Sequence, residues 1–232
     1  MSATGVGPWV STTEAGVART RAEGTELKKK MDLVADAGAE LFSTRGFLET
    51  SMEDVAAAAK LSKGGMYHYF AGKTDILFYI LSGFLDLVLE NLEEELHTIE
   101  GSIGKIRFLV FRHVEIYTKH FYAARTLLHE AHNLPSKHLK KITEKEREYY
   151  QVITEVLSEY LGAGVKKDLV TPVTFTLLGM CNWIYSWYDP KGPIKPEQLS
   201  GIIFDIFSGG VSGLRRKSAM VHEKGRFSTR GR

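Results

Sequence analysis

The chain has 232 residues, 44% of them hydrophobic and 11% aromatic, which is enough for one large or two small domains with a substantial core. Its 30 lysine and arginine residues nearly balance 28 acidic residues, so the net charge of +2 excludes any argument for nucleic-acid binding from total charge. The single cysteine, Cys181, excludes an intrachain disulfide and a cysteine-based metal cluster.

The beginning of the chain, residues 1–26, is rich in Gly, Thr, Ser and Ala and has no sustained apolar run. It matches neither a signal peptide nor an amphipathic helix, so we expect a disordered arm there. A first helix is expected from about Leu27, because Val34, Gly38, Leu41 and Phe42 follow the i, i+4, i+7, i+8 stripe of an amphipathic helix.

The segment Thr50 to Lys73, TSMEDVAAAAKLSKGGMYHYFAGK, has the pattern of two short helices joined by a tight turn. Thr50 and Ser51 can cap the first helix, with Glu53 as the capping-box partner of Thr50. Ser62 can cap the second helix, which is expected at about residues 63–70. This arrangement is typical of a helix-turn-helix that binds DNA.

The second of these helices carries two glycines and three consecutive aromatic residues. Gly64 and Gly65 each lower helix propensity by about 1 kcal/mol relative to Ala, so close approach to another backbone is the better reason for them. The alternative is a helical hairpin with a purely structural aromatic core, but Tyr67, His68 and Tyr69 cannot all point into one core. The residues that we predict to contact DNA are Thr50, Ser51, Lys63, Gly64, Gly65, Tyr67, His68, Tyr69 and Lys73.

From residue 74 onward, apolar residues recur at helical spacing and no alternating strand pattern occurs, which predicts an all-α chain. We place the DNA-binding domain at residues 27–73, a second helical domain at residues 74–213 and a basic, solubilising tail at residues 214–232.

The run Leu169 to Tyr188 contains no charged residue and approaches the ~20 residues that a bilayer requires. Its Thr, Asn, Ser and Pro residues dilute the hydrophobicity, so we predict no membrane contact. A helix that is apolar on nearly all sides must be covered on nearly all sides. We expect a second subunit to cover part of this helix and part of a last helix from Pro196.

The run Leu27 to Leu81 resembles the N-terminal domain of the TetR family of bacterial transcriptional repressors. The motifs are F-x-x-x-G-F at residues 42–47, T-S-M-E-D-V-A at 50–56, S-K-G-x-x-Y-x-Y-F at 62–70 and K-x-D-I-L at 73–77. At Gly65 the family usually has Thr or Ser, so a side-chain contact there does not carry over.

The resemblance implies a TetR-like, all-α fold with an N-terminal three-helix helix-turn-helix domain and a C-terminal helical ligand-binding and dimerisation domain. It also implies a cytoplasmic homodimer that represses transcription from a palindromic double-stranded DNA operator, without cofactor or metal.

Residues 177–199, L-L-G-M-C-N-W-I-Y-S-W-Y followed by P-x-G-x-x-x-P-E-Q-L, resemble a TetR subgroup of fatty-acid and steroid degradation repressors that release DNA on binding an acyl-CoA. Such a ligand needs an apolar tunnel and cations for its phosphates. The candidates for the tunnel are Phe108, Phe111, Tyr117, Phe121, Trp183 and Trp187, and those for the cations are Arg107, Arg112 and Lys119. An ordinary aromatic core, or a sensor of another hydrophobic ligand such as a drug or an aromatic acid, remains an alternative.

A helical metal-dependent enzyme is the remaining alternative. His113 and His120 share a helix face, and residues 129–132 read H-E-x-H rather than the zinc motif H-E-x-x-H. The sequence has no nucleophile elbow and no phosphate-cradling glycine loop. We therefore predict no metal, no cofactor and no enzymatic activity.

Overall fold

The structure of the chain is a computed structural model that describes residues 12–163, 165–189 and 191–228. These residues form ten α-helices and two short 3-10 helices, and none of them lies in a β-strand. The all-α prediction is therefore confirmed. Over this part of the chain, none of the helices combines the length and the apolar character needed to cross a bilayer. Two compact units meet in sequence between Ile80 and Leu81.

The first unit consists of α1 (Thr12–Arg45), α2 (Met52–Ala58), α3 (Lys63–Tyr69) and the first turns of α4 (Lys73–Leu89). The exit of α1 explains the F-x-x-x-G-F motif. Gly46 has a φ of +99°, a left-handed conformation that ends the helix and returns the chain toward it. Phe47 can then pack edge to face on Phe42, with ring centroids 5.1 Å apart. Both rings are buried in the core of this unit.

The beginning of α4 belongs to the first unit because it packs against α1. A Cβ on Gly38 would lie 2.9 Å from Ile76 Cγ2 and 3.3 Å from Ile80 Cδ1, so only glycine allows this approach. Tyr79 also donates a hydrogen bond to Asp32 of α1 at 2.7 Å. The division between the units therefore lies later than the boundary expected after Lys73.

The described parts of the two predicted terminal segments extend α1 and α10. Residues 12–26 belong to α1 instead of a disordered arm, and residues 1–11 of that arm lie outside the described residues. The basic tail from residue 214 continues α10 as far as Ser228, and residues 229–232 lie outside the described residues. Neither residues 12–26 nor residues 214–228 contain proline, and extending an existing helix requires no new nucleation.

The second unit contains the rest of α4, then α5 (Leu92–His97), α6 (Ser102–Lys119), α7 (Phe121–Glu130), α8 (Ser136–Leu161), α9 (Lys167–Asn182) and α10 (Pro196–Ser228). The 3-10 helices are Ala131–Asn133 and Trp183–Ser186. In this unit α6 packs on α8 and α10, and α8 packs on α9. The apolar spacing that runs from Ile76 to Leu96 is divided between α4 and α5, because Asn91 has a left-handed backbone with φ 54°.

Candidate nucleic-acid interface and effector region

The start of α2 is fixed by a capping box that begins at Ser51. The Asp54 N–H donates to Ser51 Oγ at 3.1 Å, and the Ser51 N–H donates to Asp54 Oδ2 at 2.9 Å. The side-chain hydrogen bond with Ser51 also holds the pKa of Asp54 below its ordinary value. Thr50, predicted as a cap and a DNA contact, is instead 1% exposed and donates to the Gly46 carbonyl at 2.8 Å. It is therefore inaccessible to DNA, whereas Ser51 is exposed.

The helix α3 is held by one end cap and two buried side chains. Ser62 is the N-cap, and its Oγ accepts from the Gly65 N–H at 3.1 Å, as the sequence predicts. Met66 and Phe70, four residues apart, are buried in the first unit. With this side of α3 fixed inward, its opposite side must face out.

The exposed residues of α3, called here the α3 tip, are Lys63, Gly64, Tyr67 and His68. Tyr67 keeps 47% of its surface accessible, although its ring is large and apolar. A phenol held in this way can donate a hydrogen bond to a phosphate while its ring packs on sugar or base. Tyr69, in contrast, is half-buried, with its ring 5.2 Å from that of His68.

The lysine of the α3 tip is already paired with a carboxylate, but the pair is exposed to solvent. Lys63 Nζ lies 2.6 Å from Glu53 Oε1, and both side chains are largely exposed. Their hydrogen bond lowers the pKa of Glu53 and raises that of Lys63. An exposed ion pair of this kind adds little stability. Moving the Lys63 ammonium from Glu53 to a DNA phosphate would therefore cost little free energy.

Gly64 is not required by the fold of the chain itself, whereas a side chain at Gly65 would crowd the N-cap of α3. A Cβ at Gly64 would meet no atom within 4 Å, and one at Gly65 would meet only Ser62 Oγ, at 3.2 Å. Neither residue has a positive φ. Because each glycine weakens the helix, the space beside Gly64 points to a contact from outside the protein.

Lys73, predicted as a phosphate contact, is a structural anchor. Its Nζ donates to the carbonyls of Phe47, Leu48 and Thr50 at 2.7, 3.1 and 3.1 Å. It also lies 4.5 Å from the centroid of the Phe47 ring. All three N–H groups of the ammonium are thus used to hold the loop between α1 and α2, and none is left for DNA.

In the second unit, a groove with a volume of about 510 Å³ lies between the first turns of α6 and α10. It brings together three of the residues predicted to bind ligand, Arg107, Phe108 and Phe111. The guanidinium of Arg107 lies over the Phe204 ring at 4.5 Å. Glu197 and Asp205 also line the groove, so its carboxylates outnumber its guanidinium. This charge balance opposes binding of coenzyme A phosphates there.

Two other residues predicted to bind ligand make contacts within the second unit instead. Arg112 donates to Glu95 Oε2 at 2.7 Å and also to the carbonyls of Leu87 and Glu90, so its charge is already compensated. Tyr117 is buried and stacks on His113 with ring centroids 3.8 Å apart. Neither residue lines the groove.

The last four residues predicted to bind ligand also lie away from the groove. Lys119 is exposed and Phe121 is half-buried. Trp183 and Trp187 are 61% and 53% exposed, so they face outward instead of lining a tunnel. The sequence therefore grouped aromatic and basic residues of two helical segments that the structure separates.

Exposed apolar side chains are concentrated on α9, on the 3-10 helix after it together with the residue that follows, and on α10. The largest exposed fractions there belong to Phe175, Trp183, Trp187, Ile202 and Ile206, each more than half exposed. Buried residues on the same elements, such as Leu177 and Phe207, fix the opposite sides of these helices. We call these five residues the C-terminal apolar set.

A buried polar cluster was missed by the sequence analysis. His113 of α6 and Tyr149 of α8 are both buried, and Nδ1 and the phenol oxygen are 3.0 Å apart. His113 Nε2 and Asn182 Oδ1 are buried without a hydrogen-bond partner within the described residues. Burial lowers the pKa of His113 to about 3, and a weak hydrogen-bonding interaction with the Asn182 side chain, which falls short of normal hydrogen-bond geometry, opposes this only partly.

The other histidine group, at residues 129–132, has no metal-site geometry. The His129 ring lies edge to face on Tyr185, with centroids 4.7 Å apart. Among the residues that the structure describes, no three His, Cys, Asp or Glu side chains are arranged to hold a metal ion.

Comparison with known proteins identifies relatives over both units. Residues 34–80 match the family model of bacterial regulatory proteins of the tetR family, and residues 101–211 match that of the tetracyclin repressor-like C-terminal domain. The HTH-type transcriptional repressor KstR2 of Mycobacterium tuberculosis is 23% identical over 190 residues, covering 81% of this chain and 95% of its own length.

Two solved structures share the fold. A TetR-family transcriptional regulator from Bordetella parapertussis superposes with a TM-score of 0.72 and 27% identity, covering 76% of this chain and 93% of its own. AibR in complex with isovaleryl coenzyme A and operator DNA gives a TM-score of 0.66 and 26% identity, covering 76% of this chain and 97% of its own. The chain therefore belongs to the TetR family of bacterial regulatory proteins, and it is a transcriptional regulator and not an enzyme.

Proposed function

We propose that the chain is a transcriptional repressor that binds a palindromic operator as a homodimer and is released by a hydrophobic effector, an acyl-CoA thioester of fatty-acid or related catabolism. The observation that carries the DNA-binding part is the α3 tip. Its residues are exposed and rich in groups that suit DNA, while Met66 and Phe70 fix the other side of the helix. The free space at Gly64 lets a DNA backbone approach closely.

Dimerisation is supported by the C-terminal apolar set. Side chains such as Trp183 and Ile206 are more than half exposed, and exposed apolar groups of this size on neighbouring elements mark a protein interface. Two-fold symmetry makes the same residues meet their copies. It also presents two α3 tips to half-sites about 34 Å apart on one face of the duplex.

The acyl-CoA part is supported by the relative AibR, whose complex contains isovaleryl coenzyme A and operator DNA. In the present chain we place the acyl group in the interior of the second unit and exclude the coenzyme A phosphates from the acidic groove between α6 and α10. Because α4 contains residues of both units, an effector that changes the position of Leu81 to Leu89 can change the spacing of the α3 tips. A regulator of chromosomal DNA with such an effector acts in the cytoplasm.

A different hydrophobic ligand is the second candidate. The groove places Glu197 and Asp205 beside Phe108 and Phe111, which suits a cationic aromatic drug better than a phosphate. An aromatic acid would need a cation that this groove offers only at Arg107. A thermal-shift panel of acyl-CoAs, free acids and cationic drugs separates these classes, since a ligand that binds the native state raises Tm.

The experiment that tests the DNA-binding assignment uses the full chain. Operator fragments are selected from genomic DNA, and binding is then measured by fluorescence anisotropy for the wild type, Tyr67→Ala and Tyr67→Phe. Tyr67→Ala should abolish specific binding with the dimer and its thermal stability retained, because the side chain is exposed. Tyr67→Phe should lose only the hydroxyl contribution. Undiminished binding by Tyr67→Ala would refute the contact assignment.

A second measurement tests release. Acyl-CoAs of increasing chain length are titrated into the operator complex, with free coenzyme A as the control for the phosphates. Release by a thioester and not by free coenzyme A supports the proposed effector class. Release by none of the thioesters, with release by a drug or an aromatic acid, favours the second candidate.

A further inference from the structure

The interior of the second unit contains a polar cluster at the junction of three helices. His113 comes from α6, Tyr149 from α8 and Asn182 from the last residue of α9. The histidine ring stacks on Tyr117 with centroids 3.8 Å apart, and its plane lies at 29° to that of the Tyr149 ring, whose centroid is 5.9 Å away. The stacking fixes the ring plane, and therefore the direction in which Nε2 points.

This cluster is incomplete as a hydrogen-bond network. Tyr149 meets His113 Nδ1 at 3.0 Å, but His113 Nε2 and Asn182 Oδ1 make no hydrogen bond of normal geometry in the described part of the chain, and the His113 and Asn182 side chains interact only weakly with each other. His113 is only 3% exposed, so water in bulk does not compensate its ring nitrogen. An unpaired buried polar atom is destabilising, and a helical core gains nothing from retaining two of them unless another molecule pairs with them.

The groups around the cluster determine whether a bound ligand group can be charged. Burial keeps His113 neutral, and it also raises the pKa of the Tyr149 phenol, so both rings are uncharged at neutral pH. The charge of the Glu146 carboxyl contributes to the raised pKa of Tyr117. Burial raises the pKa of Glu146 itself. The nearby guanidinium of Arg112 is paired with Glu95 through Nη1, and its buried Nε has no hydrogen-bond partner in the described residues. An anionic group would therefore find a carboxyl and a cation whose charge is already compensated by Glu95.

We propose that His113 Nε2 and the Asn182 carboxamide bind one uncharged oxygen of the effector, a carbonyl or a hydroxyl, in the interior of the second unit. The inference rests on the proposed function, because it requires an effector that enters this unit. A neutral imidazole offers a donor or an acceptor at Nε2, according to which tautomer the Tyr149 hydrogen bond selects, and Asn182 Oδ1 accepts. A carbonyl oxygen of the effector can accept a hydrogen bond from His113 Nε2. A hydroxyl group can bond to His113 Nε2 and also donate to Asn182 Oδ1.

The test compares ligands that differ by the oxygen alone. Calorimetry on the full chain measures binding of octanoyl-CoA, of 3-hydroxyoctanoyl-CoA and of S-octyl-CoA, the thioether that lacks the thioester carbonyl. The wild type should bind at least one of the first two about tenfold more tightly than the thioether, because that ligand leaves the buried nitrogen unpaired. Equal affinity for all three would overturn the inference.

The variants assign that preference to the cluster. His113→Phe combined with Tyr149→Phe keeps two flat rings for stacking and removes the hydrogen-bonded pair together with the unpaired nitrogen. In this double variant, the ratio of the affinity for the oxygen-bearing ligand to the affinity for S-octyl-CoA should fall to about one, and operator binding should be retained. Tyr160→Phe, which removes another phenol hydroxyl of α8 that lies 3.2 Å from Ser212 Oγ, should keep the preference of the wild type. A preference that persists in the double variant would overturn the inference.

A purely structural role for the cluster gives a different result. In that case the double variant would lose stability while the ligand preference stayed unchanged. If the double variant does not fold, Asn182→Leu serves instead, because Asn182 Oδ1 makes no internal hydrogen bond of normal geometry and folding loses only a weak interaction with His113. If no thioester binds the wild type at all, the proposed effector class has failed, whereas binding without discrimination overturns only the present inference.

Discussion

Replacing Gly64 by Ala should change stability and DNA affinity in opposite directions. The position lies in the first turn of α3, one residue after Lys63, and a Cβ there would meet no protein atom within 4 Å. The backbone is already helical, so alanine fits without strain. The substitution therefore removes a helix penalty without adding a contact inside the protein.

The gain in stability follows from that geometry. A helical glycine is less favourable than alanine by about 0.5–1 kcal/mol. In a unit of this size, such a gain raises the unfolding midpoint by roughly 2–8 °C. The matched control is Gly83→Ala in α4, a helical glycine with equally free space, which should be stabilising in the same way and should leave DNA binding unchanged. Differential scanning calorimetry measures both variants.

The expected loss in affinity comes from a clash between the new methyl group and the DNA, since the methyl group meets no atom of the protein. If a DNA backbone approaches Gly64, a methyl group there displaces it. A tenfold loss at one half-site corresponds to about 1.4 kcal/mol, and a dimer incurs it twice, giving a loss of about a hundredfold. Fluorescence anisotropy with the selected operator measures this loss. A Gly64→Ala protein that is more stable and binds the operator as tightly as the wild type would refute the close-approach argument.

Three further perturbations test the remaining assignments. Lys73→Met should destabilise the first unit by about 1–3 kcal/mol in urea, because three carbonyls lose a charged donor, while the salt dependence of operator binding stays unchanged; a reduced salt slope would show that Lys73 contacts phosphate after all. Ile206→Asp should convert the dimer to a monomer in sedimentation velocity, since the side chain is 63% exposed and cannot perturb its own core; a dimer that persists contradicts the interface. Acidification from pH 7 to pH 5 should destabilise the second unit by about 2 kcal/mol through His113, because the unfolded chain takes up a proton below about pH 6.5 and the folded state does not until about pH 3. Replacing His113 together with Tyr149 by Phe should remove that part of the pH dependence, and an unchanged pH profile of urea unfolding would show that the histidine is charged in the folded state.

The local features of the first unit could be predicted because they depend on neighbours in sequence. Ser62, Met66 and Phe70 occupy the roles that helix spacing and capping rules give them. The error at Thr50 has the same local origin. Thr50 and Ser51 are both good caps, and only the backbone exit at Gly46, which accepts the Thr50 hydroxyl, decides between them.

The sequence could not show whether a given lysine contacts DNA or holds the protein structure together. Lys63 and Lys73 flank the same short helix, and both were expected to contact DNA. One lies in an exposed pair with Glu53, and the other is held by three carbonyls from a loop more than twenty residues away. No periodicity in the sequence shows which partners the folded chain supplies.

The effector residues were the least predictable for a related reason. A helical stripe states that residues share a face, but not which helix covers that face. Phe108 lines an acidic groove, Tyr117 lies in the core and Trp183 is exposed, although all three read as tunnel residues in the sequence. The charge of a pocket depends on both of its walls, and here Glu197 and Asp205 come from a helix nearly a hundred residues further along the chain.

The α3 tip and the polar cluster of the second unit share one physical property, which is that each lowers the stability of the isolated chain. Gly64 weakens a short helix although no neighbour requires a glycine, and His113 and Asn182 keep buried polar atoms unpaired. The Lys73 ammonium and the Ser51 capping box, in contrast, have their hydrogen bonds satisfied. Local choices in a natural sequence usually agree with its fold, so positions where they disagree indicate selection for something other than stability. In a regulator, the two ligands that can complete such positions are the operator, at the α3 tip, and the effector, at the buried cluster.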